Sequence, residues 1–344
     1  MYKLPHLCTG RTVCRFSRSK KLPVRFCLAK EQNSCSCKGL ILLLCLFSVT
    51  SLYIDESQAK ELISAQCEPL TERSSAPEEL QYSQGLLWTI AKEGKQTSYL
   101  FGTIHVSDKE VTTLPDVVDK ALHDTDQFVM EAIPDMEQLM LLSKTMFFSD
   151  GQLLSNFVDD SIYEKTKEIL SSYQLGSDAV SVMKPWAAFL VMNYPPDQGE
   201  PLDMVLLSLA QQNGAAVGAL ESLKEQGEIF SELNMEEQAQ LLIDTVCHYD
   251  IMEEDFAAMK SFYLKRDLGG LYNYAQRYSI NDKPIYQRLM KKLVLDRNYT
   301  MAERMQPMLE KGNAFIAIGA MHLTGKAGVL SLLEERGYSV SAVY

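Results

Sequence analysis

The segments SYLFGTIHVS (residues 98–107) and FIAIGAMHLT (residues 315–324) decide the fold, because both follow the same plan. Each begins with apolar residues typical of a buried strand, then continues with Gly-x-x-His, an apolar residue and Ser or Thr. A predicted helix and a further strand follow each motif. Strands that are apolar along their length are typical of a mostly parallel sheet covered on both faces. The two segments therefore predict an α/β fold with a mixed, mostly parallel central sheet.

Other segments extend this sheet and add a long helical insertion. LLWTIA (86–91) and TSYLFGTIH (97–105) are predicted to form a hairpin across a turn at Glu93-Gly94-Lys95. Short apolar runs predict further strands at 127–133, 215–222 and 314–322, with a last one at the C-terminus. Apolar residues at helical spacing dominate residues 136–275. Helices are predicted at 114–123, 136–147, 160–172, 203–213, 234–262, 284–295 and 299–311.

Two histidines and two glutamates fall at predicted carboxyl ends of these strands. His105 and His322 close the two Gly-x-x-His motifs, Glu131 ends QFVME, and Glu221 ends AVGALE. Open α/β sheets bind ligands beyond the carboxyl ends of their strands, so these side chains are expected to meet. Imidazole and carboxylate ligands suit zinc, manganese or iron, with water as the nucleophile. One such residue alone is more often structural, but only five histidines occur and two share one context.

The charge of the chain separates a basic leader from an acidic body. Residues 1–38 hold nine Lys or Arg and one acid, Glu31, while the whole chain of 344 residues has a net charge of −12. The body is therefore strongly acidic. Nucleic-acid binding needs a basic surface, so this class of function is excluded.

Residues 39–54, GLILLLCLFSVTSLYI, are apolar and uncharged, with basic residues before them and acidic residues after. This layout is typical of a secretory signal, and Ser57-x-Ala59 offers a cleavage site that closes a signal region over 39–59. The run is short for a spanning helix, so an uncleaved anchor is the main alternative, with a transit peptide as the third. Positive charge before the run predicts a periplasmic, secreted or membrane-anchored body outside the cytoplasm. Residues 60–85 are polar and predict a linker or loose arm before the domain at 86–344.

Cysteine is concentrated in the same leader. Six of the eight cysteines lie within the first 45 residues, and only Cys67 and Cys247 belong to the rest of the chain. These two either form one disulfide or are unrelated thiols, and spacing does not decide between the two.

Several blocks of the body, in order, resemble the TraB/GumN family, which includes the Tiki proteins. The resemblance covers 86–344 and implies a fold similar to the erythromycin-esterase and ChaN-like group. A mild departure is Ala219-Leu220-Glu221-Ser222, where the family commonly has Gly-Leu-Glu-Thr. The blocks are LLWTI…SYLFGTIHVSD…LPDVVDKAL…FVMEA, KPWAA (184–188), LDMVLLSLAQQNGAAVGALESLKEQ (202–226), DRNYTMAERM (296–305) and FIAIGAMHLTGKAGVLSLLEERGYSV.

The resemblance implies a metal-dependent hydrolase, specifically a peptidase, because Tiki members are described as membrane-tethered metalloproteases. By position, His105, Glu131 and His322 carry over as ligands of a divalent metal ion such as Zn, Mn or Co. The expected partner is a peptide or protein substrate, and the membrane is a partner through residues 39–54 if the leader is uncleaved.

The remaining catalytic roles fall to three more residues. Glu221, or Glu131 itself, is expected to take the proton from the attacking water. Arg297 is expected to steady a developing oxyanion, and Asn298 to orient the substrate. Two alternatives stay open. ChaN-like relatives imply a non-enzymatic haem- or ligand-binding protein of the cell envelope, and the GumN name suggests an assembly factor for cell-surface polymers.

Overall fold

A six-stranded sheet lies at the centre of this computed structural model, which describes residues 67–73, 78–196 and 199–344. Strands β4, β3, β5 and β2 run parallel, and β1 pairs antiparallel with both β2 and β6. The predicted hairpin and the mixed, mostly parallel α/β sheet are therefore confirmed. In spatial order the strands are β4 (Ala216–Ala219), β3 (Gln127–Met130), β5 (Ala314–Gly319), β2 (Ser98–Thr103), β1 (Leu87–Ala91) and β6 (Ser339–Ala342).

The two segments that share one plan form the adjacent strands β2 and β5. Phe101 pairs with Ala317 and Thr103 with Gly319, so both Gly-x-x-His motifs leave the sheet at the same edge. Gly102 allows close packing here, since a Cβ would lie 2.7 Å from Cδ1 of Leu323 and 3.3 Å from Cα of Ala320. The residue after the second motif therefore packs directly against the first motif.

Helices surround the sheet and fill most of residues 136–275, as predicted. Before β4 they are α1 (Lys109–Thr112), α2 (Asp116–His123), α3 (Met136–Met146), α4 (Asp160–Ser171), α5 (Ser177–Ser181), α6 (Pro185–Met192) and α7 (Leu202–Gln212). After β4 they are α8 (Leu223–Ser231), α9 (Met235–Cys247), α10 (Met252–Leu264), α11 (Leu268–Ala275), α12 (Pro284–Met290), α13 (Arg297–Arg304), α14 (Gln306–Lys311) and α15 (Val329–Glu335).

The helical region has an apolar core of its own, separate from the core under the sheet. Trp186 on α6 is fully buried there and stacks on Phe230 of α8, with ring centroids 5.9 Å apart. This core holds α6 among the surrounding helices, and the C-terminal half of α6 lines the cavity of the site.

Three helix predictions are wrong in detail. The segment 234–262 forms two helices, because His248 leaves helical geometry (φ −117°, ψ 17°) after α9 and a 3₁₀ turn, Tyr249–Ile251, precedes α10. The segment 299–311 breaks at Met305, because Pro307 lacks an N–H and suits the first turn of a new helix. The segment 284–295 ends in a π-helix, Lys291–Asp296, which leads directly into α13.

The N-terminal arm (residues 67–73) is tied to the helical region. A disulfide joins Cys67 to Cys247, which settles the pairing that the sequence left open. Arg73 donates a hydrogen bond of 2.6 Å to Asp282, and Lys283 lies 2.9 Å from the Glu68 carboxylate. This described part of the predicted 60–85 linker thus packs on the body.

The predicted basic leader (1–38) and the predicted signal region (39–59) lie outside the described residues. Within the part of the chain that the structure describes, no helix has both the length and the apolar character needed to cross a membrane.

Candidate functional site

The four predicted strand-end residues gather at one edge of the sheet. Glu131 follows β3 directly, His105 and Glu221 each lie two residues beyond their strands, and His322 ends a 3₁₀ turn after β5. The Glu221 amide donates to the carbonyl of Glu131 at 2.7 Å, so a backbone hydrogen bond joins the segment after β4 to the segment after β3. Arg297, at the start of α13, extends into the centre of this group.

Arg297 uses all five of its N–H groups inside the protein. Its Nε donates to the Glu221 carboxylate at 2.9 Å, and Nη2 donates to Glu221 at 2.8 Å and to Glu131. Its Nη1 donates to the Leu293 carbonyl at 3.1 Å and lies 3.3 Å from Nε2 of His322. Leu293 lies within the π-helix, so this irregular turn is part of what holds the guanidinium. The predicted oxyanion role would require one of these donors to be released.

Glu131 is buried and ionised. Burial alone would raise its pKa, but the charges of His322, Arg297 and His105, together with the Gly319 amide, lower the pKa to about 2. The Gly319 N–H donates to Oε1 at 2.6 Å. A Cβ on Gly319 would lie 3.2 Å from the same oxygen, so the glycine of the second motif allows this close approach. A carboxylate fixed in this way is held in its charged form at neutral pH.

His322 is buried and neutral, and its tautomer follows from its partners. The Asn298 amide nitrogen donates to the Ala327 carbonyl at 2.8 Å, so the Asn298 oxygen must accept, at 2.6 Å, from Nδ1 of His322. Nε2 is left as an acceptor, 3.7 Å from Oε1 of Glu131. Burial lowers the pKa of His322 most strongly and outweighs the charge of Glu131, so the pKa is about 4. Asn298, predicted to orient substrate, thus has both amide atoms engaged within the protein.

His105 has the same local geometry but a different partner. Its Nδ1 lies 2.8 Å from Oδ2 of Asp203, whose other oxygen accepts from the Thr103 hydroxyl at 2.7 Å. Burial would lower the His105 pKa, but the charge and hydrogen bond of Asp203 outweigh this and raise the pKa to about 9. The side chain remains 48% exposed. Because Nδ1 faces Asp203, Nε2 is the nitrogen that remains for a ligand.

Asp203 and Gln226 were missed as site residues. Asp203 is buried in the first turn of α7. In a sequence, an acid at this position is explained by its favourable interaction with the helix N-terminus. Gln226 donates to Glu131 at 3.4 Å and to Glu221 at 3.3 Å. The available signal for Asp203 was its place in the same block as Glu221, but periodicity does not distinguish a buried acid from a solvated one.

A cavity of about 420 Å³ opens onto this site. His105, Glu131 and Arg297 are among its polar lining residues, whereas His322 and Glu221 do not line it, and most of the remaining lining residues are apolar. Its other lining residues are Leu142, Phe189, Leu190, Asn193, Tyr194, Leu223, Gln226, Gly227, Ile229, Phe230 and Leu293. A larger cavity of about 720 Å³ lies between the N-terminal arm and α11, but none of the predicted site residues lines it. The chemistry therefore favours the smaller cavity.

The donor types at the site fit a divalent metal ion. His322 is neutral, Glu131 is ionised, and Nδ1 of each imidazole is held by a protein oxygen, as is usual for metal-binding histidines. A metal ion at Nε2 of His322 would displace the contact of 3.3 Å with Nη1 of Arg297. Arg297 competes with a metal, because its guanidinium already pairs with Glu131 and Glu221. In the described residues, no group of three or more His, Cys, Asp or Glu side chains has the arrangement of a metal site.

The sequence matches the TraB/PrgY/gumN family over residues 86–342, and the chain belongs to that family. No curated protein and no solved structure matches the chain at the significance required. The family assignment confirms the resemblance drawn from the sequence blocks.

Proposed function

We propose that the cavity is the active site of a metal-dependent hydrolase that cleaves peptide bonds. The observation that carries the proposal is that Nδ1 of both motif histidines is held in the same way. Each has Nδ1 fixed by a protein oxygen, at 2.8 Å for His105 and 2.6 Å for His322, so Nε2 is the nitrogen that would bind a metal ion. At His322 the ion would take the place of Nη1 of Arg297, which lies 3.3 Å from Nε2. Two oriented imidazoles and one carboxylate form the ligand set of many hydrolytic metal sites.

Nε2 of His105, Nε2 of His322 and the Glu131 carboxylate would hold the ion. A bound divalent ion would supply Lewis-acid polarisation of the substrate carbonyl and a more acidic water. Glu131 is the carboxylate that lines the cavity, and it accepts the proton of the attacking water. Because its pKa of about 2 makes Glu131 a weak base, proton transfer to it requires the more acidic water that a bound ion would supply.

Arg297 and its partner Glu221 form the fixed support of this site. Glu221 does not line the cavity, and its carboxylate binds the guanidinium through two nitrogens. We therefore assign Glu221 the role of holding Arg297, and Arg297 the role of keeping Glu131 ionised. The apolar residues of the cavity lining suit a peptide with an apolar side chain next to the scissile bond.

We also propose that the body works outside the cytoplasm. The Cys67–Cys247 disulfide supports this location, because disulfides persist in oxidising compartments and are rare in the cytosol. The apolar run at 39–54, preceded by basic residues, supports the same location as a signal or an anchor.

The test is turnover of a quenched-fluorescence peptide library by the full-length protein, with Zn²⁺, Mn²⁺ or Co²⁺ supplied in turn. We expect cleavage that chelation abolishes, and that His105→Ala and His322→Ala each reduce to background. His123→Ala is the matched control, since that imidazole is 71% exposed at the end of α2 and lies away from the cavity. Equal cleavage by the wild type and both site variants would reject the proposal.

A further inference from the structure

A hydrogen-bond donor on the cavity wall would stabilise a developing oxyanion together with a bound ion, and the guanidinium of Arg297 is already engaged within the protein. Acyl-transfer sites place donors where charge develops on the carbonyl oxygen. Every N–H of the Arg297 guanidinium already has an acceptor within the protein. A donor from another side chain would act on the same oxygen as a bound ion, and this inference rests on the proposed function.

Tyr194 is the candidate for this donor, because its side chain carries a hydroxyl group. It lines the cavity together with His105 and Glu131, and its ring centroid lies 6.1 Å from that of His105. The residue is 44% exposed, so part of its surface is open to a ligand. Among the described residues, no hydrogen bond to its hydroxyl is found. By contrast, the hydroxyl groups of Tyr173 and Tyr263 each donate to a backbone carbonyl.

The backbone that carries Tyr194 is fixed by the helical region. The Tyr173 hydroxyl donates to the Tyr194 carbonyl at 2.7 Å and lies 2.9 Å from the Tyr249 hydroxyl. The Asn193 side chain donates to the Phe189 carbonyl at 2.8 Å, which secures the end of α6. Pro195 follows directly and disfavours helical geometry at Tyr194. These contacts hold a tyrosine, with few rotatable bonds, at the cavity wall.

We propose that Tyr194 is a further catalytic residue, whose hydroxyl donates a hydrogen bond to the substrate oxygen that becomes negatively charged. As the water oxygen bonds to the carbonyl carbon, the π electron pair of the carbonyl moves onto its oxygen. The proton of the water passes to Glu131. Tyr194 keeps its own proton and strengthens its hydrogen bond as the charge develops.

The first test compares Tyr194→Phe with the wild type in the full-length protein, using the peptide that the wild type cleaves best. Because the lost donor acts on the developing charge, we expect kcat to fall about 100-fold with KM changed less than about twofold. Tyr299→Phe is the matched control, since Tyr299 is 52% exposed on α13 and does not line the cavity. A residue that only shaped the wall would change KM and leave kcat at the wild-type value.

The second test does not depend on turnover. Phenylphosphonate carries tetrahedral anionic oxygens and an apolar ring, and its affinity is measured by calorimetry for the same three proteins. We expect Tyr194→Phe to raise Kd about tenfold or more, with the melting temperature and the Tyr299→Phe affinity unchanged. If Tyr194→Phe raises the Kd for phenylphosphonate but the wild type cleaves no peptide, Tyr194 is supported as the anion donor and the peptidase proposal is rejected. Equal affinity in wild type and Tyr194→Phe, or no binding by the wild type, would overturn the inference.

Discussion

The two Gly-x-x-His motifs leave adjacent strands with the same local plan, yet their histidines have opposite electrostatics. His105 is tied to a carboxylate and half open, and its pKa is raised to about 9. His322 is tied to an amide and buried, and its pKa is lowered to about 4. At neutral pH the first is a cation and the second is neutral. The residue that holds Nδ1, together with burial, therefore sets the charge of each imidazole, and the motif itself does not.

The largest expected effect comes from removing Arg297, the cation that pairs with both glutamates of the site. Arg297→Met leaves the Glu131 and Glu221 carboxylates without their shared partner in a buried place. Loss of one member of a buried ion pair typically costs about 3–5 kcal/mol, so we expect the free energy of unfolding to fall by about that amount. Urea unfolding of the full-length protein at pH 7 measures it.

The matched control is Arg304→Met, on the same helix. Arg304 pairs with Glu225 at 2.7 Å, but both side chains are more than 40% exposed. A surface pair contributes at most about 1 kcal/mol, so a much smaller loss is expected. Equal losses for the two variants would show that Arg297 does not hold the buried carboxylates.

The next effect tests whether the partner of Nδ1 sets the charge of His105. Asp203→Asn removes the charge that raises the His105 pKa, so we expect that pKa to fall from about 9 to below its ordinary value of 6.5. The midpoint is read from the imidazole carbon-bound proton shifts in an NMR titration. Metal affinity is also expected to fall about 10–100-fold, because the partner of a ligand histidine orients it.

The mirror-image variant is Asn298→Asp, at the second motif. A carboxylate beside His322 is expected to raise its pKa above the value of about 4, although burial continues to oppose the charged form. A His105 pKa that stays near 9 in Asp203→Asn would contradict the account of both motifs.

The smallest effect is a difference in how stability depends on pH. The raised pKa of His105 gives stability that is fully present below pH 6.5 and is lost as the pH rises through about 9. The lowered pKa of His322 gives stability that is present above pH 6.5 and is lost as the pH falls through about 4. The two windows thus lie on opposite sides of pH 6.5.

The first window is measured by urea unfolding of the wild type and His105→Gln between pH 6.5 and 9.5. The stability lost in the variant should shrink by about 1 kcal/mol across this range, a value reduced because the half-open imidazole is screened by solvent. His123→Gln, at an exposed position, should show no such trend. A loss in His105→Gln that stays constant with pH would exclude the Asp203 pairing as its cause.

The sequence predicts the sheet well because strand periodicity and apolar runs are local signals. The hairpin, the central strands and the placement of His105, Glu131, Glu221 and His322 near one edge all follow from such patterns. Helix ends are less predictable, since a turn such as that at His248 depends on tertiary contacts. The π-helix at Lys291–Asp296 has no local signal, because it shows ordinary helical spacing.

The chemical state of the site is not readable from the sequence. Gly-x-x-His gives no sign that one histidine faces Asp203, about 100 residues away, and the other Asn298. Arg297 was recognised by position, but its five internal contacts appear only once Glu131, Glu221 and Leu293 are placed in space. Charge, tautomer and available donors all arise from these long-range pairs.

The central claim is that both motifs supply one metal site through their Nε2 atoms. Its most direct test is a crystal of the full-length protein soaked in zinc chloride, with anomalous diffraction at the zinc edge. The account predicts one peak about 2.0–2.1 Å from Nε2 of His105 and from Nε2 of His322, with Glu131 as the third ligand. A peak bound through only one of the two imidazoles, or zinc found away from this cavity, would contradict it.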